Sequence, residues 1–530
     1  MKYALLSVFD KTGIIELAKK LLDLGYKIIS TGGTAKELIK KNIKVIPVQE
    51  ITGNPESFDG RMKTISFEIE SGILFDRTNK SHVKEAKDLN IKPIDIVVCN
   101  LYPFEKTIAN PKVSVETAVE NIDVGGPTMI RAAAKNFKNV LVVVDPKDYQ
   151  RVISFCHSES RHRRTKNLER SFANAQDDIR RELAAKAFAH LSLYDSQIAK
   201  FLEKEIFPSE ITIPGRKVND LRYGENPHQK ASFYLEPNTN SLFKNLKKIV
   251  GRELSFVNLT DINAGLESVR LFREPCAAII KHNSPCGIAL GKNISQALER
   301  AIDADPESAF GGTTVLNKPM DLKTAKVIGE FKNKKRANID IIAAPQITKD
   351  ALEYLVEVRK SMGIYSFGKT MNYEPRAMNI KHIAGGFILQ TPDNDIEKGF
   401  RAWKVVTRKK PSPEEIKQMK IAWKFISRIR SNAVIVVDKD LPMTRGIGSG
   451  QTSRIKSTRI ALEQGGKYSQ DGILASDSFF PFDDSVKLAA KYGISGIVQQ
   501  GGSINDILSI EAANNANVSM VFTGRRAFWH

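Results

Sequence analysis

Three short apolar runs, Tyr3 to Val8, Lys27 to Ile29 and Lys44 to Val48, alternate with helical stripes, and few folds accommodate that order. Asp10 precedes an apolar stripe of Ile14, Leu17, Ala18, Leu21 and Leu22 that stops at Gly25, and Ala35 to Lys41 forms the next. Strands joined by helical crossovers lie parallel, so the order predicts a doubly wound parallel α/β domain with both faces covered. Ile94 to Cys99 and Val140 to Val144 extend the sheet, and a long helical stretch from Ile179 to about Glu205 closes the lobe. The boundary is expected near Lys204, giving domains at 1–204 and 205–530; a chain of 530 residues is too long for one core.

Polar residues collect where these strands end. Ser7, Lys11, Thr12 and Gly13 lie at the first strand-to-helix junction, and Ser30, Thr31, Gly32, Gly33 and Thr34 at the second. Small residues and free N–H groups at a helix N-terminus suit an anion such as phosphate. Neither turn is a Walker loop or a dinucleotide fingerprint, and a Gly-Gly turn alone is equally read as turn chemistry. Arg61, Lys63 and Thr64 follow a turn-rich segment, Asn100-Leu101-Tyr102-Pro103 ends another strand, and Asp123-Val124-Gly125-Gly126-Pro127 opens a helix running to Lys135 and Asn136.

The second lobe opens on Arg222 to Gln229 and reaches the apolar run Ala277 to Ile280, followed by Lys281-His282-Asn283-Ser284-Pro285-Cys286-Gly287. An ammonium next to an imidazole favours the neutral, proton-accepting ring and can stabilise developing negative charge, which suits acyl transfer to a weak nitrogen nucleophile. A solvated Lys with a His capping a Pro-Gly turn is the competing reading. Further units follow: Ser308-Ala309-Phe310-Gly311-Gly312, a strand at Ile339 to Ala343 bearing Asp340, and a capping box at Ser412 to Glu415. Ser431-Asn432 enters a strand, Gly446 to Arg454 reads as a glycine-rich loop, Ser476 to Phe482 groups aromatics, and Arg525 and Arg526 lie near the last residue. No internal repeat is evident.

The net charge of +20 is compatible with nucleic acid, but equally with small anionic substrates, and the basic block Arg161 to Arg170 has no aromatic interleaving. Four scattered cysteines, no leader before the first strand and no long apolar run lead to the expectation of a cytoplasmic protein without disulfides, metal or membrane span. A zinc nucleobase deaminase would need H-x-E and P-C-x-x-C; His282 is followed by Asn283 and Ser284, and Pro275-Cys276 and Pro285-Cys286 lack the second cysteine.

Taken together, Ser7 to Gly13, Ser30 to Thr34, Gly60 to Thr64, Asn100 to Phe104, Asp123 to Asn136, Arg222 to Gln229, Lys281 to Gly287, Ser308 to Gly312, Ser431-Asn432, Gly446 to Arg454, Ser476 to Phe482 and the C-terminal Phe-x-x-x-Arg resemble one family nearly end to end. In that family a 5-aminoimidazole-4-carboxamide ribonucleotide (AICAR) transformylase is fused to an inosine monophosphate (IMP) cyclohydrolase. The resemblance implies an N-terminal domain similar to methylglyoxal synthase, a C-terminal lobe of two cytidine deaminase-like subdomains, 10-formyltetrahydrofolate as co-substrate, no catalytic metal and a homodimer. It implies His282 as general base and Lys281 as oxyanion stabiliser, with Arg222, Tyr223, Asp340, Asn432, Arg454 and Arg526 on the nucleotide and Phe310, Gly311, Phe479 and Pro481 near the folate. For ring closure it implies Lys63, Tyr102, Asp123 and Lys135 as the catalytic set. Ser7, Lys11, Thr12, Gly13, Ser30, Gly32, Gly33, Thr34, Arg61, Thr64, Asn100, Gly125 and Gly126 would bind substrate. The chain departs from the family pattern at Phe9, usually Ser, and at Ser66, Phe67 and Glu70, usually His, Pro and His; Ser158 to Asp178 is longer and more basic. These departures raise a second expectation, a transformylase with an impaired cyclohydrolase lobe.

Overall fold

The computed structural model describes every residue except 59–60, 166–169, 334–337 and 369–377, and the side chains of 159–165, 170–176 and 331–333. The basic block Arg161 to Arg170, and most of Ser158 to Asp178, therefore lie outside the described residues. Two units are distinguished: Met1–Arg216 with Glu236–Thr239, and Lys217–Leu235 with Asn240–His530. Among the described residues no helix is long and apolar enough to cross a membrane.

In chain order the first unit contains β1 (Lys2–Val8), α1 (Ile14–Asp23), β2 (Tyr26–Ser30), α2 (Gly32–Lys40), β3 (Val45–Pro47), α3 (Gln49–Thr52), α4 (Phe67–Leu74), α5 (Lys80–Asp88), β4 (Ile94–Asn100), α6 (Phe104–Ile108), α7 (Val115–Glu120), α8 (Gly125–Lys135), β5 (Leu141–Val143), α9 (Tyr149–Thr165) and α10 (Arg170–Leu202). The strands pair in parallel in the order β3-β2-β1-β4-β5. Strand side chains alternate between faces, and each face has its own core. Ala4, Leu6, Ile28, Ile96 and Val98 pack with Ile14, Leu17 and Leu21 of α1, while Leu5, Ile29, Val97 and Cys99 pack with Met129, Ile130 and Ala133 of α8. Each fully buried Leu or Ile contributes roughly 1.5–3 kcal/mol, which is why α1 keeps its apolar stripe inward. Chain order reverses between β1 and β4, and a crevice opens at such a switch point beyond the strands' carboxyl ends.

The second unit begins with the hairpin β6 (Arg216–Asp220) and β7 (Ser232–Leu235), then β8 (Lys247–Val250). It then runs α11 (Phe256–Val269), β9 (Cys276–Lys281), β10 (Ser284–Leu290), α12 (Ile294–Ala304), β11 (Thr313–Leu316), α13 (Leu322–Asn333), β12 (Ile341–Ala344), α14 (Lys349–Val358) and β13 (Gly363–Ser366). After the hairpin β14 (Asn379–Ile383) and β15 (Gly386–Gln390) and the short β16 (Lys404–Val405), the series recurs. It comprises α15 (Pro413–Ile426), β17 (Val434–Val437), β18 (Thr444–Gly448), α16 (Arg454–Gly465), β19 (Ile473–Ser476), α17 (Asp484–Lys491), β20 (Gly496–Gln499), α18 (Asp506–Asn515) and β21 (Ser519–Phe522). The strand orders match, β10-β9-β11-β12-β13-β8 against β18-β17-β19-β20-β21-β16, so an internal repeat exists where none was evident from sequence. What recurs is the order of periodicities, and the residues at matching positions differ: Asn317 directly follows β11, Asp477 directly follows β19. The sheets meet at β10 and β18, where Leu290 N–H donates to Pro442 O at 2.8 Å, and α11 and α15 share a core that includes Ile262, Leu266, Trp423 and Phe425.

Two further expectations are corrected. Gly446 and Gly448 belong to strand β18 rather than to a ligand loop; a Cβ on Gly448 would lie 1.9 Å from the Ser457 carbonyl oxygen of α16, so the glycines admit a helix. Asp340 precedes β12 instead of lying within it.

Candidate active sites

Strand β9 ends in a two-residue hairpin: Lys281 pairs with Ser284, and His282 and Asn283 form the turn with φ of 59° and 60°. That is a type I′ arrangement, whose usual sequence is Asn-Gly, and Pro285-Cys286-Gly287 lies inside β10 instead of forming the turn. Pro285 is tolerated because the ladder shifts register between Pro285 and Gly287. The hairpin thus presents Lys281 and His282 from a rigid edge. Lys281 Nζ donates to the Phe310 carbonyl at 2.8 Å and lies 5.9 Å from that ring's centre, which brings Phe310 and Gly311 to the turn. Gly311 N–H bonds Asn338 O, and Asp340 N–H donates to Gly312 O at 3.1 Å, so Asp340 is adjacent, paired with Arg252. Arg222 lies 4.6 Å above the Tyr223 ring and donates to its hydroxyl at 2.8 Å.

Across the β10 and β18 junction, Ser284 Oγ lies 3.4 Å from Ser449 Oγ, and the Asn432 cluster follows. Arg454, 8% exposed, donates to Asn432 Oδ1 at 2.8 Å and Ser476 Oγ at 2.9 Å and is paired with Asp477. Asp477 also accepts from Ser431 Oγ at 2.6 Å and Ala433 N–H at 2.9 Å. The guanidinium therefore holds Asn432 within the protein. Phe479 and Pro481 continue from Asp477; Asn505 Nδ2 donates to Pro481 O at 2.9 Å, and Ala527 N–H donates to Asp477 O at 2.8 Å, which brings exposed Arg526 alongside.

In the first unit the crevice between β1 and β4 gathers most of its expected residues. Thr34 Oγ1 accepts from Val8 N–H at 3.0 Å and donates to Val8 O at 2.9 Å, Ser7 Oγ lies 3.0 Å from Thr31 Oγ1, and Ser30 Oγ donates to Leu6 O at 2.7 Å. Asn100 Oδ1 accepts from Phe9 and Asp10 N–H at 2.7 and 2.8 Å, and Asp10 in turn accepts from Thr12 N–H at 2.9 Å. Gly13 initiates α1 in the left-handed region. Gly32 and Gly33 are the first turn of α2; a Cβ there would lie 3.9 Å from Lys63 Nζ and 3.8 Å from Lys11 Nζ. Two ammonium groups thus flank a helix N-terminus, a strong setting for an anion.

Lys63 Nζ donates to Tyr102 Oη at 3.3 Å. Asp123 accepts from Gly126 N–H at 2.8 Å, and burial pushes its carboxyl up, opposed by the Gly126 and Tyr102 N–H groups and by Lys63. Buried Thr64 packs on Gly125, where a Cβ would lie 2.6 Å from its hydroxyl, and a Cβ at Gly126 would lie 2.8 Å from Asp123 Oδ2. Arg61 pairs with Glu120 on the surface. Lys135 is not gathered: it ends α8, exposed, an 11-residue helix away from Gly125, or roughly 15 Å at 1.5 Å per residue.

The departures have local explanations. Ser66 caps α4, accepting from Ile69 N–H at 3.2 Å, and Phe67 faces solvent. Phe9 packs its ring edge-on against Tyr102 at 5.7 Å. Among the described residues one buried oxygen of Glu70 has no hydrogen-bond partner, and burial pushes the Glu70 carboxyl up to about 7. Sequence reading missed Asp477 and Asp261. Asp261, on α11, accepts from Asn283 N–H at 2.7 Å; its signal is a carboxylate next to Ile262 on the buried side of the helix.

Comparison with known proteins decides the family. Residues 133–464 match the AICARFT/IMPCHase bienzyme model, and residues 13–128 match the MGS-like domain. The chain belongs to the AICARFT/IMPCHase bienzyme family. It is 44% identical to the bifunctional purine biosynthesis protein PurH of Thermoanaerobacter sp. (strain X514), covering 100% of both chains. The PurH proteins of Acetivibrio thermocellus and Bacillus cereus (strain 03BB102) are 42% and 41% identical, again over 100% of each chain.

Proposed function

We propose that the chain catalyses two successive steps of purine nucleotide synthesis, formyl transfer in residues 205–530 and ring closure in residues 1–204. The AICAR amine attacks the formyl carbon of 10-formyltetrahydrofolate, forming an N–C bond as the bond to the folate nitrogen breaks. His282 takes the amine proton, and Lys281 stabilises the oxyanion and delivers a proton to the departing nitrogen. Asn432, held by Arg454, orients the nucleotide with Arg222, Tyr223, Asp340 and Arg526; Phe310, Gly311, Phe479 and Pro481 border the folate. In the other unit the carboxamide nitrogen of the formylated product attacks its own formyl carbon, and loss of water gives IMP.

Ring closure is intramolecular and depends mainly on positioning, which Lys63, Tyr102 and Asp123 provide while Lys11 and the α2 N-terminus hold the phosphate. Lys135 joins this reading only through the resemblance. A cytoplasmic homodimer is part of the same reading. The observation that carries it is the Lys281–His282 hairpin joined to the Asn432–Arg454 cluster through Ser284 and Ser449. Purified protein given AICAR and 10-formyltetrahydrofolate should release tetrahydrofolate and form IMP; no tetrahydrofolate release refutes it. Glu70 favours a second reading in which ring closure is the slower step, detectable as transient accumulation of formylated intermediate.

A further inference from the structure

We propose that Asp261 is a positioning residue for formyl transfer, fixing the His282–Asn283 turn and setting a negative charge beside the imidazole; this rests on the reading of His282 as general base. The carboxylate is 5% exposed, in the interior of α11, and among the described residues no Lys or Arg forms an ion pair with it. Its Oδ1 accepts from Asn283 N–H at 2.7 Å, and the Thr313 hydroxyl of β11 lies on the same side. Both turn residues hold φ near 60°, a conformation disfavoured for residues with a Cβ. The buried acceptor thus anchors the peptide that aims His282.

A neutral amide would satisfy the same N–H, so the charge needs its own reason. The ionisable groups that interact with Asp261 are His282 itself and Cys286 on β10, while β11 presents the Thr313 hydroxyl and turns Thr314 to the opposite face. Burial pushes the Asp261 carboxyl up to about 6, opposed by the Asn283 amide and by the charge of His282. Because the folded value lies above the ordinary one, the ionised group lowers stability once pH rises through about 6. A charge kept against stability is characteristic of function. During transfer the amine proton passes to His282 as the new N–C bond forms, and the resulting imidazolium develops next to this carboxylate.

The test uses the full-length enzyme. Asp261→Asn should lower kcat for formyl transfer at least tenfold while KM for AICAR stays within twofold, with no lower thermal midpoint at pH 8 and normal ring closure of supplied intermediate. Asp261→Ala, which also removes the acceptor, should lose more activity and melt lower. Because Asp261 acts through His282, the double variant Asp261→Asn/His282→Ala should be no slower than His282→Ala alone. Wild-type kcat in Asp261→Asn, or an additive loss in the double variant, overturns the proposal. Wild-type transfer in His282→Ala instead overturns the reading of the site itself.

Discussion

Phe9 and Glu70 are two of the residues at which this chain departs from the pattern the resemblance implies, and their surroundings separate two kinds of departure. The Phe9 ring leans on Tyr102 with Lys11 6.0 Å from its centre, so it buttresses the phenol proposed for ring closure. An edge-to-face pair is worth about 0.5–1.5 kcal/mol, or ~2–10-fold in rate if fully expressed. Phe9→Ser should therefore slow ring closure of supplied intermediate by up to that factor; a faster variant would show that the ring obstructs substrate. Glu70 is different, being half-buried with one unpartnered oxygen. Its folded value of about 7 exceeds the ordinary 4.5, so its contribution is full below pH 4.5 and lost as pH rises through 7. Glu70→Gln should raise stability at pH 8 by about 1–2 kcal/mol, reduced from the full shift by solvent screening, and leave it unchanged at pH 4. Thermal midpoints at the two pH values check this.

At the scale of elements, legibility followed the strength of local signals. Strand β1, helix α1 and strand β4 were readable because buried parallel strands are continuous apolar runs and α1 carries a complete stripe between Asp10 and Gly25. The capping box at Ser412 likewise starts α15 where expected. The hairpin turn begins three residues before the Pro285-Cys286-Gly287 turn expected from sequence, because His-Asn is an unusual type I′ turn and Pro285 normally argues against a strand. Strand β18 reads as a loop in the sequence because glycine signals permissive backbone equally whether a ligand or a helix approaches. That point is testable. Gly448→Ala would place a Cβ 1.9 Å from Ser457 O and push α16 away, and Ser457 Oγ donates to Asn432 O at 2.9 Å. Such overpacking costs about 1–3 kcal/mol. The variant should melt lower and raise KM for AICAR in formyl transfer, with ring closure unaffected.

At the scale of the whole molecule, the second unit is a duplicated element series whose halves have diverged in opposite senses. The first half leaves its strand end open, with His282 exposed and Lys281 half-buried, whereas the matching turn of the second half is closed by Asp438, which accepts from Asp440 and Leu441 N–H at 2.9 Å each. The second half keeps Asp477 with Arg454, whereas Asn317 at the matching place bonds backbone alone, accepting from Cys276 N–H at 2.8 Å and donating to Phe272 O at 3.0 Å and Glu274 O at 2.8 Å. Neither half alone supplies a complete formyl-transfer site. The central claim is that two independent chemistries reside in one chain, formyl transfer around His282 and ring closure around Lys63. It is tested most directly by His282→Ala assayed with AICAR plus 10-formyltetrahydrofolate and, separately, with formylated AICAR. The predicted result is a ~100-fold to 10,000-fold loss of tetrahydrofolate release, typical of a missing general base, with IMP formation from formylated AICAR at the wild-type rate. Undiminished tetrahydrofolate release, or equal loss of both reactions, would contradict it.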